Sequence, residues 1–148
     1  MDEWNAAVYS RRKISGGAKP MNTEQLKISS AAALAGMSEP LTEENGVWYL
    51  PFTVTEEHLN FHGTFHGGMI YFYALEALSQ YMVLKDQEGV GMEGSIHYYR
   101  AAKPGDTLKA CIHERKVGRT VGTYSVEVLN ETGKLVADSL FTIMFGRQ

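Results

Sequence analysis

Between His58 and Lys85 the chain reads HLNFHGTFHGGMIYFYALEALSQYMVLK, and most of its chemically capable residues sit there. Asn60, His62 and His66 lead into the pair Gly67-Gly68, and the only charged residue between His66 and Lys85 is Glu76. A carboxylate alone on an apolar helix costs several kcal/mol if it is ionised and unpaired, so such a position has a partner or a task. Glycines at the start of a helix let a substrate approach the backbone. The free N–H groups of the first turn can then hold a carbonyl oxygen as charge develops on it. On a helix, Glu76 shares a face with Phe72 and Met69 at i−4 and i−7 spacing, so these two could border a bound group. Two plain structural readings compete: a tight turn that needs glycine for packing, and a carboxylate that serves a buried Tyr, Arg or His.

Other chemistries find less support. His62 and His66 stand four apart, yet no Cys, Asp or third His joins them at ligand spacing, so no metal is expected. No glycine-rich phosphate loop or dinucleotide fingerprint occurs. Cys111 is the single cysteine, which excludes an internal disulfide and fits a reducing cytoplasm; its place in the alternating run LKACIHERKV reads as an ordinary strand position.

The elements that must position the site follow from periodicity and breakers. The first 20 residues read as an arm, with a basic cluster at Arg11, Arg12 and Lys13 before Ser15-Gly16-Gly17. A helix is expected from Asn22, with Gln25 at capping-box spacing, to just before Pro40. Val47 to Thr55 is a strand whose Pro51 implies an edge or a bulge. The long apolar helix follows, roughly Gly68 to Lys85. Four strands are then expected in MEGSIHYYR, TLKACIHERKV, TVGTYSVEVL and KLVADSLFTIMF, separated by turns at Lys103-Pro104-Gly105-Asp106, Gly118-Arg119 and Asn130-Glu131-Thr132-Gly133. Hairpin breaks imply an antiparallel meander. A helix apolar on nearly every face must be enclosed, and a curved sheet around it achieves this. The expected organisation is an N-terminal extension over residues 1–45 and one α+β domain over 46–148.

Composition sets the outer bounds. The chain has 148 residues, 44% of them hydrophobic and 21% charged, which suits one globular domain able to bury a core. With 14 basic against 17 acidic residues the net charge is -3, so no nucleic-acid or anionic-membrane surface is indicated. The N-terminus lacks the apolar core of a secretory signal. The run Gly67 to Leu84 approaches spanning length but contains Glu76, Ser79 and Gln80, which favours a buried helix.

Asn60-Phe61-His62-Gly63, then His66-Gly67-Gly68, then a helix bearing an acid, is similar to the hotdog-fold acyl-CoA thioesterases of the phenylacetate-pathway and 4-hydroxybenzoyl-CoA type. Ile96 to Asp106 (IHYYRAAKPGD) resembles that family's strand and turn, and Lys116 to Ala137 its last hairpins. The resemblance spans Gly46 to Phe145. It implies a sheet wrapped around a central helix, homodimers pairing sheets edge to edge, often homotetramers, and active sites at the dimer interface. It further implies that the glycine after His66 donates its N–H to the thioester carbonyl, and that Asn60 positions water or thioester. The helix acid would act as base or nucleophile, and Arg119 would meet the CoA phosphates.

One departure stands out. In that family the acid follows the first glycine of the pair by eight residues, which here is Leu75. Glu76 comes one residue later, a rotation of about 100°. Either the start of the helix absorbs an extra residue or the acid serves another geometry. Glu76-Ala77-Leu78-Ser79-Gln80 also resembles the helix segment of hotdog hydroxyacyl-thioester dehydratases, in which a His precedes the Glu by fourteen residues, as His62 does here. The Phe-Pro and Met-Pro-Gly elements of that family are missing. The expectation is therefore an acyl-CoA or acyl-ACP thioesterase of the cytoplasm. Water activated by Glu76, or attacking an acyl-Glu76 anhydride, would cleave the thioester while Gly67 or Gly68 stabilises the oxyanion, without metal or dissociable cofactor. The alternatives are a dehydratase using His62 and Glu76, and an acyl-CoA-binding module without turnover.

Overall fold

The computed structural model describes residues 28–146. The expected arm, its basic cluster and the Asn22 capping box lie outside the described residues. The expected first helix is seen only over Ser30–Leu34, here α1, five residues capped by Ser29. After it come β1 (Thr42–Glu44), β2 (Val47–Thr53) and a short 3-10 turn at Glu56–His58. The long helix α2 (Gly67–Leu84) follows, then β3 (Gly89–Tyr98), β4 (Thr107–Val117), β5 (Val121–Asn130) and β6 (Leu135–Phe145).

The six strands form one antiparallel sheet in the order β1-β2-β4-β5-β6-β3. Strands β4, β5 and β6 make the expected meander. Strand β3 does not stand beside β4, as a simple four-strand meander would have it. The near edge of β4 is taken by β2, paired from Trp48↔Ile112 to Thr53↔Thr107, so β3 pairs with the free edge of β6 instead. Strand β1 was not expected, although its signal was present: Asn45-Gly46, both at positive φ (53° and 80°), makes the two-residue turn that joins β1 to β2. The expected division at 45/46 falls inside this hairpin, and Ala32, Met37 and Leu41 belong to the same core as the sheet. Pro51 is placed as its chemistry requires. Strand β1 pairs only with Val47 to Tyr49, so at Pro51 one side of β2 is open and no ladder donor is missed.

The sheet curves around α2. Ile70, Tyr73, Ala74, Ala77, Leu78 and Tyr81 face Leu50, Phe52, Leu108, Ala110, Tyr124, Val126 and Phe141 across the core. A polar group enters this apolar layer. Tyr73, fully buried, shares its one hydroxyl proton between the Leu50 and Leu108 carbonyls, and the hydroxyl oxygen accepts from the Ala110 N–H at 3.0 Å. It thereby ties α2 to β2 and β4 together. Burial drives the phenol pKa far up, so this donor is permanent. Among the described residues, no helix is long and apolar enough to cross a membrane.

Tyr73→Phe removes the hydroxyl and strands the Ala110 N–H. An unsatisfied buried donor costs about 1–3 kcal/mol, and calorimetry should show a Tm several degrees lower with the fold retained. An unchanged Tm would show that the bridge carries no stability.

Candidate active site

The loop from Leu59 to His66 is built by one side chain. Asn60 Oδ1 accepts from the backbone N–H groups of His62 (2.9 Å) and Thr64 (3.2 Å), and its Nδ2 donates to Thr64 Oγ1 (3.0 Å). Gly63, at φ 71°, closes the turn. Asn60 is thus part-committed to loop geometry, which leaves one amide N–H for a ligand. Its loop and the start of α2 border an open cavity of about 330 Å³. Gly67, Ile70, Thr64 and Phe65 line it with Tyr98, Tyr99, Arg100 and Ala101 from the end of β3.

The two glycines differ in function. His66 caps the helix: its Nδ1 accepts the Gly68 N–H at 3.0 Å. That bond uses the Nδ1 lone pair. Gly68 is therefore occupied. The Gly67 N–H, in the same first turn, has no partner among the described residues and sits at the cavity. Of the two oxyanion donors considered from sequence, the geometry leaves Gly67 free.

Glu76 lies elsewhere. Helix α2 runs unbroken from Gly67, with no bulge to absorb the extra residue. Nine residues at about 100° and 1.5 Å each put Glu76 on the opposite side of the helix from Gly67 and about 13 Å along it. Its carboxylate is 6% exposed and lies under the chain leading into α1, accepting from Ser29 Oγ at 3.1 Å and from Gln80 Nε2 at 3.4 Å. The same Ser29 oxygen caps α1 by accepting the Ala32 N–H. Burial pushes the Glu76 pKa up from 4.5, and the Gln80 and Ser29 bonds offset part of that rise. Among the described residues no carboxylate lines the Gly67 cavity.

The remaining expected residues are also dispersed. His62 is exposed on the loop and makes no contact with the buried Glu76, so one chain does not assemble the His–Glu pair of the dehydratase reading. Phe72 and Met69 are half-buried on α2 and do not line the cavity. Arg119 sits in the β4–β5 turn. The β5 end that follows it pairs with Met144 of β6, near the start of β3, whereas the cavity lies beyond the end of β3. Among the described residues, no cluster of three or more His, Cys, Asp or Glu could hold a metal.

The sequence reading missed His58. Only 7% exposed, it packs edge-on against the stacked Phe52 and Phe65 rings, with Nε2 on the Ala35 carbonyl (2.6 Å) and Nδ1 on Thr55 Oγ1 (2.7 Å). A carbonyl only accepts, so Nε2 carries the proton. His58 and Glu76 together fasten the N-terminal segment to the site-bearing loop and helix. The sole sequence signal for His58 was a histidine two residues before Asn60, indistinguishable from its neighbours. Tyr98 was equally silent.

Residues 62–137 match the family model described as Thioesterase superfamily. The chain is 37% identical over 127 residues to a putative esterase of Deinococcus radiodurans, covering 85% of this chain and 86% of that protein. The structure of the Escherichia coli PaaI protein from the phenylacetic acid degradation operon superposes with a TM-score of 0.71 at 26% identity, covering 78% and 85% of the two chains. A Streptococcus mutans protein bound to acetyl CoA gives 0.67 at 27% identity, covering 73% and 88%.

The Glu76 environment carries a pH signature. Its folded-state pKa lies above that of the unfolded chain, so the cost of burial is absent below the ordinary carboxylate pKa and grows as pH rises towards the folded value. Glu76→Gln should therefore raise Tm relative to wild type at pH 7, with the difference closing towards pH 4. A variant less stable at pH 7 would show that the ionised carboxylate is net favourable where it sits.

Proposed function

The chain belongs to the thioesterase superfamily, the hotdog-fold family of acyl-CoA thioesterases, and we propose that it hydrolyses acyl-CoA thioesters at the Gly67 cavity. The observation that carries this reading is a Gly67 N–H without a partner among the described residues, on a helix-start glycine that lines an open cavity beside Asn60. A thioester carbonyl placed there is polarised by a fixed donor at a helix N-terminus, where developing negative charge is stabilised. The spare Asn60 N–H holds the carbonyl or the attacking water. The Arg100 side chain, at the rim, supplies positive charge towards the carrier. The name of the Escherichia coli relative, acyl-coenzyme A thioesterase PaaI, and the acetyl CoA bound by the Streptococcus mutans protein support CoA as that carrier. Acyl carrier protein remains the alternative carrier, read out by the same assay.

The carboxylate comes from a second copy. Strand β3 is an edge strand with one side unpaired, and Val90, Met92 and Tyr98 are exposed along it. On α2 an apolar stripe of Phe72, Leu75 and Val83, with Gly68 and Ser79, is left partly uncovered at helical spacing. Pairing of two β3 edges lays the α2 helices side by side and covers that stripe, making a homodimer. Glu76, the only carboxylate on α2, is the base or nucleophile for the partner's cavity, which requires it to leave Ser29. A buried acid whose pKa is raised by burial fits a working role.

Wild-type protein, Glu76→Gln and Met92→Asp should be assayed for thiol release on acetyl-, hexanoyl- and benzoyl-CoA and on an acyl carrier protein thioester. Hydrolysis should fall roughly 10²–10⁴-fold in Glu76→Gln, the range for loss of a general base. An unchanged kcat would remove Glu76 from the chemistry and leave it as the Ser29 clamp. Light scattering should give twice the chain mass for wild type and the single-chain mass for Met92→Asp, with activity lost in parallel. A wild-type protein inert on every thioester would end the hydrolase reading.

A further inference from the structure

Two consecutive glycines form the most conformationally free dipeptide a chain can hold, and here they carry the proposed oxyanion donor. The peptide that joins them is gripped at both ends. At one end its N–H, that of Gly68, donates to His66 Nδ1 at 3.0 Å. At the other its carbonyl, that of Gly67, accepts the Tyr98 hydroxyl at 2.7 Å from a residue 31 positions later in the chain. A side chain at either glycine would crowd this approach. A Cβ on Gly67 would stand 3.1 Å from Tyr98 Cζ, and one on Gly68 would stand 3.1 Å from His66 Nδ1. Tyr98 is itself anchored as the last residue of β3, paired with Ala137 of β6.

We propose that Tyr98 is a positioning residue: its hydroxyl holds the Gly67 carbonyl so that the adjacent Gly67 N–H keeps its aim into the cavity. The inference rests on the reading of Gly67 as the oxyanion donor. Once the peptide plane between Gly67 and Gly68 is fixed, the Gly67 N–H can reorient only through rotations about Gly67's own φ and ψ. His66 and the helix's own hydrogen bonds hold this turn only locally. Tyr98 ties the turn to the sheet. The Tyr98 hydroxyl spends its single proton on this bond, so it offers a ligand only lone pairs and has no proton to give to a leaving group. Burial and the nearby Tyr71 raise its pKa, which keeps that proton in place at neutral pH. A donor held in advance needs no reorganisation as charge develops, and small misplacements of such a group are expensive in rate.

Tyr98→Phe tests this, because it keeps the ring against Gly67 and deletes only the hydroxyl. Two measurements separate positioning from simple tethering. In ¹⁵N relaxation of the free protein, the Gly67 amide order parameter should drop from the rigid-backbone range of about 0.85 towards flexible values, while the rest of α2 is unchanged. In steady-state assays on acetyl-, hexanoyl- and benzoyl-CoA, kcat should fall roughly 10- to 100-fold with KM held, less than the 10²–10³ that outright loss of an oxyanion donor costs. An unaltered Gly67 order parameter overturns the proposal whatever the kinetics show. Loosened Gly67 with unaltered kcat overturns it as well. The NMR arm needs no substrate, so failure of the thioesterase reading, seen as inert wild-type protein, stays distinguishable from failure of the clamp.

Discussion

The structure depends on enclosing one helix that is apolar on most of its circumference. Sheet strands β2, β4, β5 and β6 wrap α2, and the buried hydroxyl of Tyr73 meets backbone groups of both β2 and β4. Apolar packing alone leaves a helix free to roll or slide by small amounts. A buried hydroxyl that must find its partners or lose about 1–3 kcal/mol does not permit that. The rotation of α2 is thereby set, and with it the direction in which every other α2 residue points. Gly67 faces the end of β3, Glu76 faces Ser29, and Leu75 lies on the partly covered stripe.

Around this rigid centre the site uses groups that oppose stability. A glycine pair at the helix start raises the entropic cost of folding, and a carboxylate buried under Ser29 costs free energy whenever it is ionised. The fold offsets both locally. His66 and Tyr98 take up the freedom of the glycines, and Ser29 and Gln80 give the carboxylate two donors. Ser29 also caps α1, so the N-terminal segment and Glu76 are coupled through one oxygen atom. His58 adds a second tie to the same segment through the Ala35 carbonyl. A chain leading into the domain has become part of the wall behind the helix.

Under the proposed reading a single chain leaves the chemistry incomplete. Among the described residues its cavity has a free amide and an asparagine but no carboxylate, its edge strand β3 has an open side, and α2 has an apolar stripe part-covered. A second copy of the chain is the one remedy proposed for all three. Long, flat, open edges invite pairing, and this one runs over ten residues.

Much of this was legible in the residues themselves. Alternation gave β4 to the residue and β6 within one, and the apolar run with its glycine start gave α2 within a residue at either end. These are local properties of periodicity and turn chemistry, and the motifs around Asn60, His66 and Gly67 are equally local. The sequence also exposed the one-residue displacement of Glu76. What it left open was decided in three dimensions. Strand β3 stands beside β6 because β2 claims β4, a competition among elements distant in the chain. Gly67 rather than Gly68 is free because His66 turns its Nδ1 onto one of two adjacent amides. Glu76 meets Ser29, and Tyr98 meets Gly67, across 47 and 31 residues of chain. No spacing rule encodes such meetings, since they follow only when the packed sheet has set the rotation of the helix it encloses.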